Sequence, residues 1–201
     1  MGFAVRDVLD LPAVYRAWQA PFVAQKLAPV FAHNDLGAVR HVLDVGCGPG
    51  TNASRFSGVP YIGVDLSREY VADARRRTGR SVAAADARYL PVPAERFDFV
   101  LVNSMLHHVD TPGVEADLRE LARVASADGH VHVLELVLPE SASLARMLAN
   151  LDRGKYARPL AVWRDLFDRY FDAVVFEPYH VTLAGVPCWS MVYFKGRAKK
   201  S

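Results

Sequence analysis

Three groups of side chains in this sequence stand where chemistry can happen. The run His41-Val42-Leu43-Asp44-Val45-Gly46-Cys47-Gly48-Pro49-Gly50 ends an apolar stretch in an acid and then places glycine at every second position. Without Cβ atoms at those positions the backbone can turn sharply and a ligand can lie against it. About 20 residues beyond the glycines, Asp65 closes a second apolar run, where a carboxylate can accept hydrogen bonds from two ribose hydroxyls. The lesser alternative for Asp65 is to cap the helix that follows, a role that Ser67 fills by itself. The third group is His107-His108. Imidazole titrates near neutrality and can serve as general base for an acceptor hydroxyl, with His108 ahead of His107 as the candidate. The pair could also simply cap a helix or fill a semi-polar pocket. No H-x-x-x-H, C-x-x-C or carboxylate cluster accompanies it, so no metal site is expected.

The glycine spacing discriminates among nucleotide-like ligands. A dinucleotide fingerprint G-x-G-x-x-G needs Gly or Ala at position 51, which is Thr51. Pro49 removes a backbone N–H that a pyrophosphate would use, and no Lys follows the glycines as in a phosphate-binding P-loop. The G-x-G-x-G pattern with Asp44 two residues ahead resembles motif I of class I S-adenosylmethionine-dependent methyltransferases. In that family the loop bends around the methionine portion of a ligand that carries no phosphates. The resemblance implies S-adenosyl-L-methionine as cofactor and S-adenosyl-L-homocysteine as product, with Asp44, Gly46, Cys47 and Gly48 at the loop and Asp65 at the ribose. It also places Asp86 and the Ala87 amide at the adenine, with Leu66 and Ala87 as its apolar walls, and Asn103 as a further cofactor contact. The run Asn103-Ser104-Met105-Leu106-His107-His108-Val109 is similar to the Leu-His-His segment of the ubiquinone/menaquinone-biosynthesis type of small-molecule methyltransferase. The Asn/Asp-Pro-Pro-Tyr run of amino-methylating nucleic-acid enzymes is missing here. The only Pro-Cys pair, Pro187-Cys188, lies far from the place where a cytosine C5 enzyme carries its nucleophile.

The elements that must position these residues follow from periodicity and punctuation. Apolar residues at three- and four-residue spacing predict two amphipathic helices over 8–32. The resemblance makes residues 1–37 a cap over the cofactor, with Tyr15, Trp18 or Lys26 facing it. Strands are expected over 41–45, 61–65, 81–85, 97–102 and 130–137. Helices are expected over 51–56, 68–78 and 113–125, the last capped by Thr111. The turn Ala127-Asp128-Gly129 should lead into the fifth strand. The resemblance implies an α/β, Rossmann-like class I methyltransferase fold. Its seven-stranded, mostly parallel sheet has order 3-2-1-4-5-7-6, strand 7 antiparallel, and helices on both faces.

Residues 139–158 carry a stripe of Leu144, Met147, Leu148 and Leu151 and then Arg153, Lys155, Tyr156 and Arg158. They read either as a packed helix or as a lid over an acceptor with anionic or hydroxyl groups. A helix over 160–170 precedes two strands, 173–181 and 187–195. Their joining loop, 182–186, would bring Tyr179, His180 or Trp189 to the acceptor wall. His130 and His132 read as sheet-face histidines.

At 201 residues the chain is one domain's worth, with a single methyltransferase domain expected over 1–201. A net charge of +2 gives no electrostatic case for nucleic acid, since Arg75-Arg76-Arg77 and the 197–200 tail are short clusters. No apolar run approaches the ~18 residues of a membrane span. Two cysteines, one inside the glycine loop, together with the absence of a secretion signal, predict a cytoplasmic protein; a monomer or homodimer is expected. The expected function is methyl transfer from S-adenosylmethionine to a small molecule, at oxygen before other atoms. A catalytically silent cofactor-binding subunit and a nicotinamide-nucleotide enzyme are the rival readings.

Overall fold

The structure, a computed structural model, describes residues 14, 17, 20–151 and 154–199. The expectations for Tyr15, Trp18 and Arg153, and for the first of the two N-terminal helices, lie outside these residues.

Seven strands form one sheet: β1 (Val42–Val45), β2 (Tyr61–Asp65), β3 (Ser81–Ala84), β4 (Phe97–Asn103), β5 (Ala125–Leu136), β6 (Phe171–Leu183) and β7 (Val186–Ala198). Their spatial order is β3-β2-β1-β4-β5-β7-β6. β1 to β5 run parallel, and β7 is antiparallel to both β5 and β6. The expected order and the antiparallel seventh strand are both present. Strands buried on both faces should read as nearly continuous apolar runs. β1 is buried at all four positions, which makes Asp44 the exception to explain.

Helices cover both faces: α1 (Val23–Ala32), α2 (Arg68–Thr78), α3 (Thr111–Val124), α4 (Leu144–Leu151) and α5 (Leu160–Asp168). Alternate strand residues sort to opposite sides. Leu43, Val45, Val100 and Val102 pack with Val114, Leu118 and Leu121 of α3 and Trp163, Leu166 and Phe167 of α5. Val42, Phe99 and Leu101 face the other way, onto Leu27 and Val30 of α1 with Phe56, Tyr61 and Tyr193.

Four local expectations are corrected. The segment after the glycine loop is a single 3-10 turn, Ala53–Phe56. Asn52 turns its amide inward toward Asp44 instead of capping it, and Arg80 satisfies the Phe56 and Val59 carbonyls. Asp110 rather than Thr111 caps α3, accepting from the Gly113 N–H at 3.0 Å. β5 starts at Ala125, and Asp128-Gly129 lies in a bulge where residues 126–129 oppose Asp98 alone. Arg40 holds that bulge by bridging Asp98 (3.2 Å) and Asp128 (2.5 Å). Finally, β6 and β7 are joined by a two-residue turn. Ala184 and Gly185 both have positive φ, 49° and 82°, the twist that suits a tight hairpin.

Candidate active site

A cavity of about 460 Å³ opens at the carboxyl ends of the parallel strands, the place where α/β sheets hold ligands. The end of β1 and the residue after it supply Val45 and Gly46, the end of β2 and the residue after it Val64, Asp65 and Leu66, and the turn after β3 Ala85, Asp86, Ala87 and Arg88. Met105, His108, Val109 and Asp110 close it from the loop after β4. Asp117 of α3 and Tyr156 complete the wall. The sequence thus brought Gly46, Asp65, Leu66, Asp86, Ala87 and His108 to one surface. It gave no signal for Met105, Asp117 or the depth at which they stand.

Gly46 is where the backbone requires glycine. Its φ is +70°, and a Cβ there would come within 2.7 Å of the Met105 Cγ and Sδ atoms. Asp65 is a strut as well as a candidate ligand. One carboxylate oxygen accepts from the Gly48 N–H and the other from the Ser67 N–H, both at 2.8 Å. Ser67 itself caps α2, accepting from Tyr70 N–H. Burial raises the Asp65 pKa, and the two backbone donors oppose the rise. A carboxylate has about four lone-pair sites, so two remain open to a ligand's donors. Asp86 is held by Arg88, whose Nη2 lies 2.6 Å from one oxygen and whose Nε lies 3.0 and 3.1 Å from the pair. These bonds lower its pKa and keep it ionised.

Asp44 is fully buried, does not reach the cavity wall, and accepts from the Tyr61 hydroxyl at 2.7 Å. Burial lifts its pKa to about 6 despite that bond. Its other contact starts a polar chain: Asn52 donates to Asp44, Asn103 to Asn52, Ser104 to Asn103, and Lys26 of α1 to Ser104, at 3.2–3.4 Å. Asp44 and Asn103 therefore tie the glycine loop, the loop after β4 and α1 together beneath the site. The Cys47 thiol points away from the cavity into a small cluster with Val71, Ala74 and Val82, and burial pushes its pKa up. The Cys47 side chain therefore packs in the core and does not line the cavity. Gly48 takes part through its N–H to Asp65 and does not line the cavity.

The two histidines separate completely. His108 is exposed on the cavity wall. His107 is 3% exposed, and its Nδ1 makes a very short contact with Glu135 of β5. Glu135 also accepts from the Leu106 and Leu136 N–H groups at 2.7 and 2.8 Å. Burial alone would raise the Glu135 pKa; the His107 charge, its hydrogen bond and the two backbone donors hold it below the ordinary value. His107 is therefore corrected from candidate base to a positioning group whose ring stands 4.2 Å behind that of His108.

Residues proposed for the acceptor wall are also reassigned. Arg158 is 6% exposed and clamps the loop after β4, donating to the carbonyls of Val109 (2.9 Å) and Tyr156 (2.8 Å). Tyr179 donates to the Lys26 carbonyl, Trp189 packs edge-on against Phe22, and His180 bonds Ser190 on the hairpin. None of the three lines the cavity. Of the segment 139–158, α4 packs through Ala149 against Leu136, Val181 and Met191, and Tyr156 alone among the described residues of the segment reaches the cavity. No group of three His, Cys, Asp or Glu among the described residues is arranged to hold a metal, and no helix among them is long and apolar enough to cross a membrane.

A methyltransferase domain family matches residues 43–133, which run from β1 into β5 and include the cavity loops after β1 to β4. Trans-aconitate 2-methyltransferase of Delftia acidovorans is 29% identical over 83% of this chain and 67% of its own. Ubiquinone biosynthesis O-methyltransferase of Bradyrhizobium diazoefficiens is 41% identical over 40% of this chain and 34% of its own. The chain thus spans between about a third and two thirds of these relatives. A possible histamine N-methyltransferase from Thermotoga maritima shares the fold, with a TM-score of 0.75 at 22% identity over 96% of this chain and 98% of that one. Sheet order, glycine loop and matched domain agree: the chain has the Rossmann-like class I methyltransferase fold, and its residues 43–133 match the methyltransferase domain family.

Proposed function

We propose that this protein methylates a hydroxyl of a small molecule, with the donor across the ends of β1 to β3 and the acceptor between His108 and Tyr156. The observation that supports it is the shared cavity. Two carboxylates suited to a nucleoside, Asp65 and Asp86, lie on the same wall system as one exposed imidazole. S-adenosylmethionine supplies an electrophilic methyl group on a sulfonium when bound. The chain's own residues do the rest. Asp65 accepts from the ribose hydroxyls while bracing the Gly48 amide, and Asp86 and the Ala87 amide meet the adenine beside Leu66. Lys26, at the end of the polar chain from Asp44, is placed for the carboxylate of the donor's methionine half. His108 takes the acceptor proton, and Tyr156 contributes the wall that segment 139–158 adds. Displacement at a sulfonium has a good leaving group, so positioning carries much of the rate.

Isothermal calorimetry with S-adenosylmethionine, S-adenosylhomocysteine and NAD, followed by labelled methyl transfer into extract, tests the reading. We expect binding of both sulfur ligands, no NAD binding, and a labelled product whose label resists removal as a methyl ether does. Tight NAD binding without binding of either sulfur ligand overturns the donor assignment. Binding without any labelled product overturns the transfer.

A further inference from the structure

The reading above leaves two cavity carboxylates unused, Asp110, which caps α3, and Asp117. Asp117 lies on α3 between Val114 and Leu118, on the face that packs the core, and is 2% exposed. It lines the cavity beside Asp86, Ala87 and Arg88, and its Oδ2 has no hydrogen-bond partner. An apolar side chain there would continue the core stripe, and an unpaired buried carboxyl costs stability. Arg88, the cation that could pair with it, is taken by three hydrogen bonds to Asp86. The charged groups facing Asp117 are Asp86 and Arg88 from the turn after β3. Asp65, His108 and Asp110 share the cavity, as does Tyr156 from the segment before α5. Burial first, and then the Asp86 charge, push its pKa up to about 7.

We propose that Asp117 is a second adenine-binding residue, acting as a neutral carboxylic acid whose C=O accepts from the exocyclic amine while its O–H donates to a ring nitrogen. Adenine offers this donor–acceptor pair side by side, and an Asn side chain meets it with the same two bonds. An ionised carboxylate has no proton to donate and would face the ring lone pair. The protonated form therefore binds better. Asp86, held ionised by Arg88, cannot fill this role. The inference rests on the donor reading and assigns the buried acid to the adenine.

Calorimetry with S-adenosylhomocysteine on the wild-type chain, Asp117→Asn and Asp117→Leu, at about pH 6 and about pH 8.5, tests it. In the wild type, affinity should fall roughly tenfold from the lower to the higher pH as Asp117 loses its proton. Asp117→Asn should bind like the acid-side wild type at both, apart from any pH effect common to all three proteins. Asp117→Leu should bind about tenfold more weakly at the lower pH, having lost two hydrogen bonds, and should melt higher than the wild type at pH 8.5. A purely structural role predicts no such split between stability and affinity. Wild-type affinity and pH profile in Asp117→Leu, or Asp117→Asn binding as weakly as Asp117→Leu, overturns the inference while leaving the donor reading intact. Failure of the wild type to bind at either pH strikes the donor reading itself.

Discussion

At the scale of single residues, neighbours in sequence have opposite fates. His107 and His108 are chemically identical, yet one is locked against a buried carboxylate and the other opens onto the cavity. Of the two, only His108 is open to a molecule in the cavity. Replacing it as His108→Asn should lower turnover roughly 100-fold, the usual range for a lost general base, while S-adenosylhomocysteine affinity stays within about twofold. Turnover measured on the trapped acceptor decides: an unchanged rate would leave positioning as the whole mechanism. Asp65 shows a different economy. The sequence offers ribose binding or helix capping as alternatives, and the structure has the carboxylate bracing the Gly48 and Ser67 amides with lone pairs to spare.

At the scale of elements, the loop after β4 is the part that must be held still, and two contacts do it from opposite sides. Glu135 of β5 accepts the Leu106 N–H and engages His107. Arg158, stacked 4.9 Å over Trp163, donates to the Val109 carbonyl. Gly154 packs so closely on the His107 ring that no side chain fits there. Removing one partner of a buried pair strands the other, so Glu135→Leu should cost about 3–5 kcal/mol in urea unfolding. Removing Arg40 from its solvent-screened bridges to Asp98 and Asp128 should cost far less. Equal losses would show that the Glu135 pair carries no special weight. The Glu135 pKa is lowered in the fold, so its contribution is complete above the unfolded value and is lost as pH falls through the folded one.

At the scale of the whole molecule, the sheet has a second buried histidine whose titration works on stability alone. His132 of β5 stacks on Phe99 with centroids 3.9 Å apart and lies 3.0 Å from the Tyr193 hydroxyl through Nδ1. Burial first, then Lys195 and His130, hold its pKa well below the usual imidazole value. The unfolded chain therefore takes up a proton below about pH 6.5 that the fold refuses. Stability from this group is complete above that pH and declines as pH falls. His132→Phe should flatten the decline: the melting temperature lost between about pH 7 and pH 5 should be smaller than in the wild type. An identical loss in both proteins would assign the acid sensitivity elsewhere.

The sequence by itself determined the strand–glycine–helix punctuation, the order of the acids along it and, through Thr51 and Pro49, a ligand without phosphates. These are local matters, set by which residues allow a turn, remove an N–H or end an apolar run. The strand positions and the 68–78 helix were legible for the same reason. Only the tertiary structure decided which histidine faces the cavity, that Arg158 is a clamp, that Asp44 reaches Lys26 through three intervening side chains, and that Asp117 lies beside Asp86. Each depends on residues far apart in the chain meeting in a dry interior. There burial sets protonation and leaves a polar atom either paired or open to a ligand, and no spacing along the chain records which.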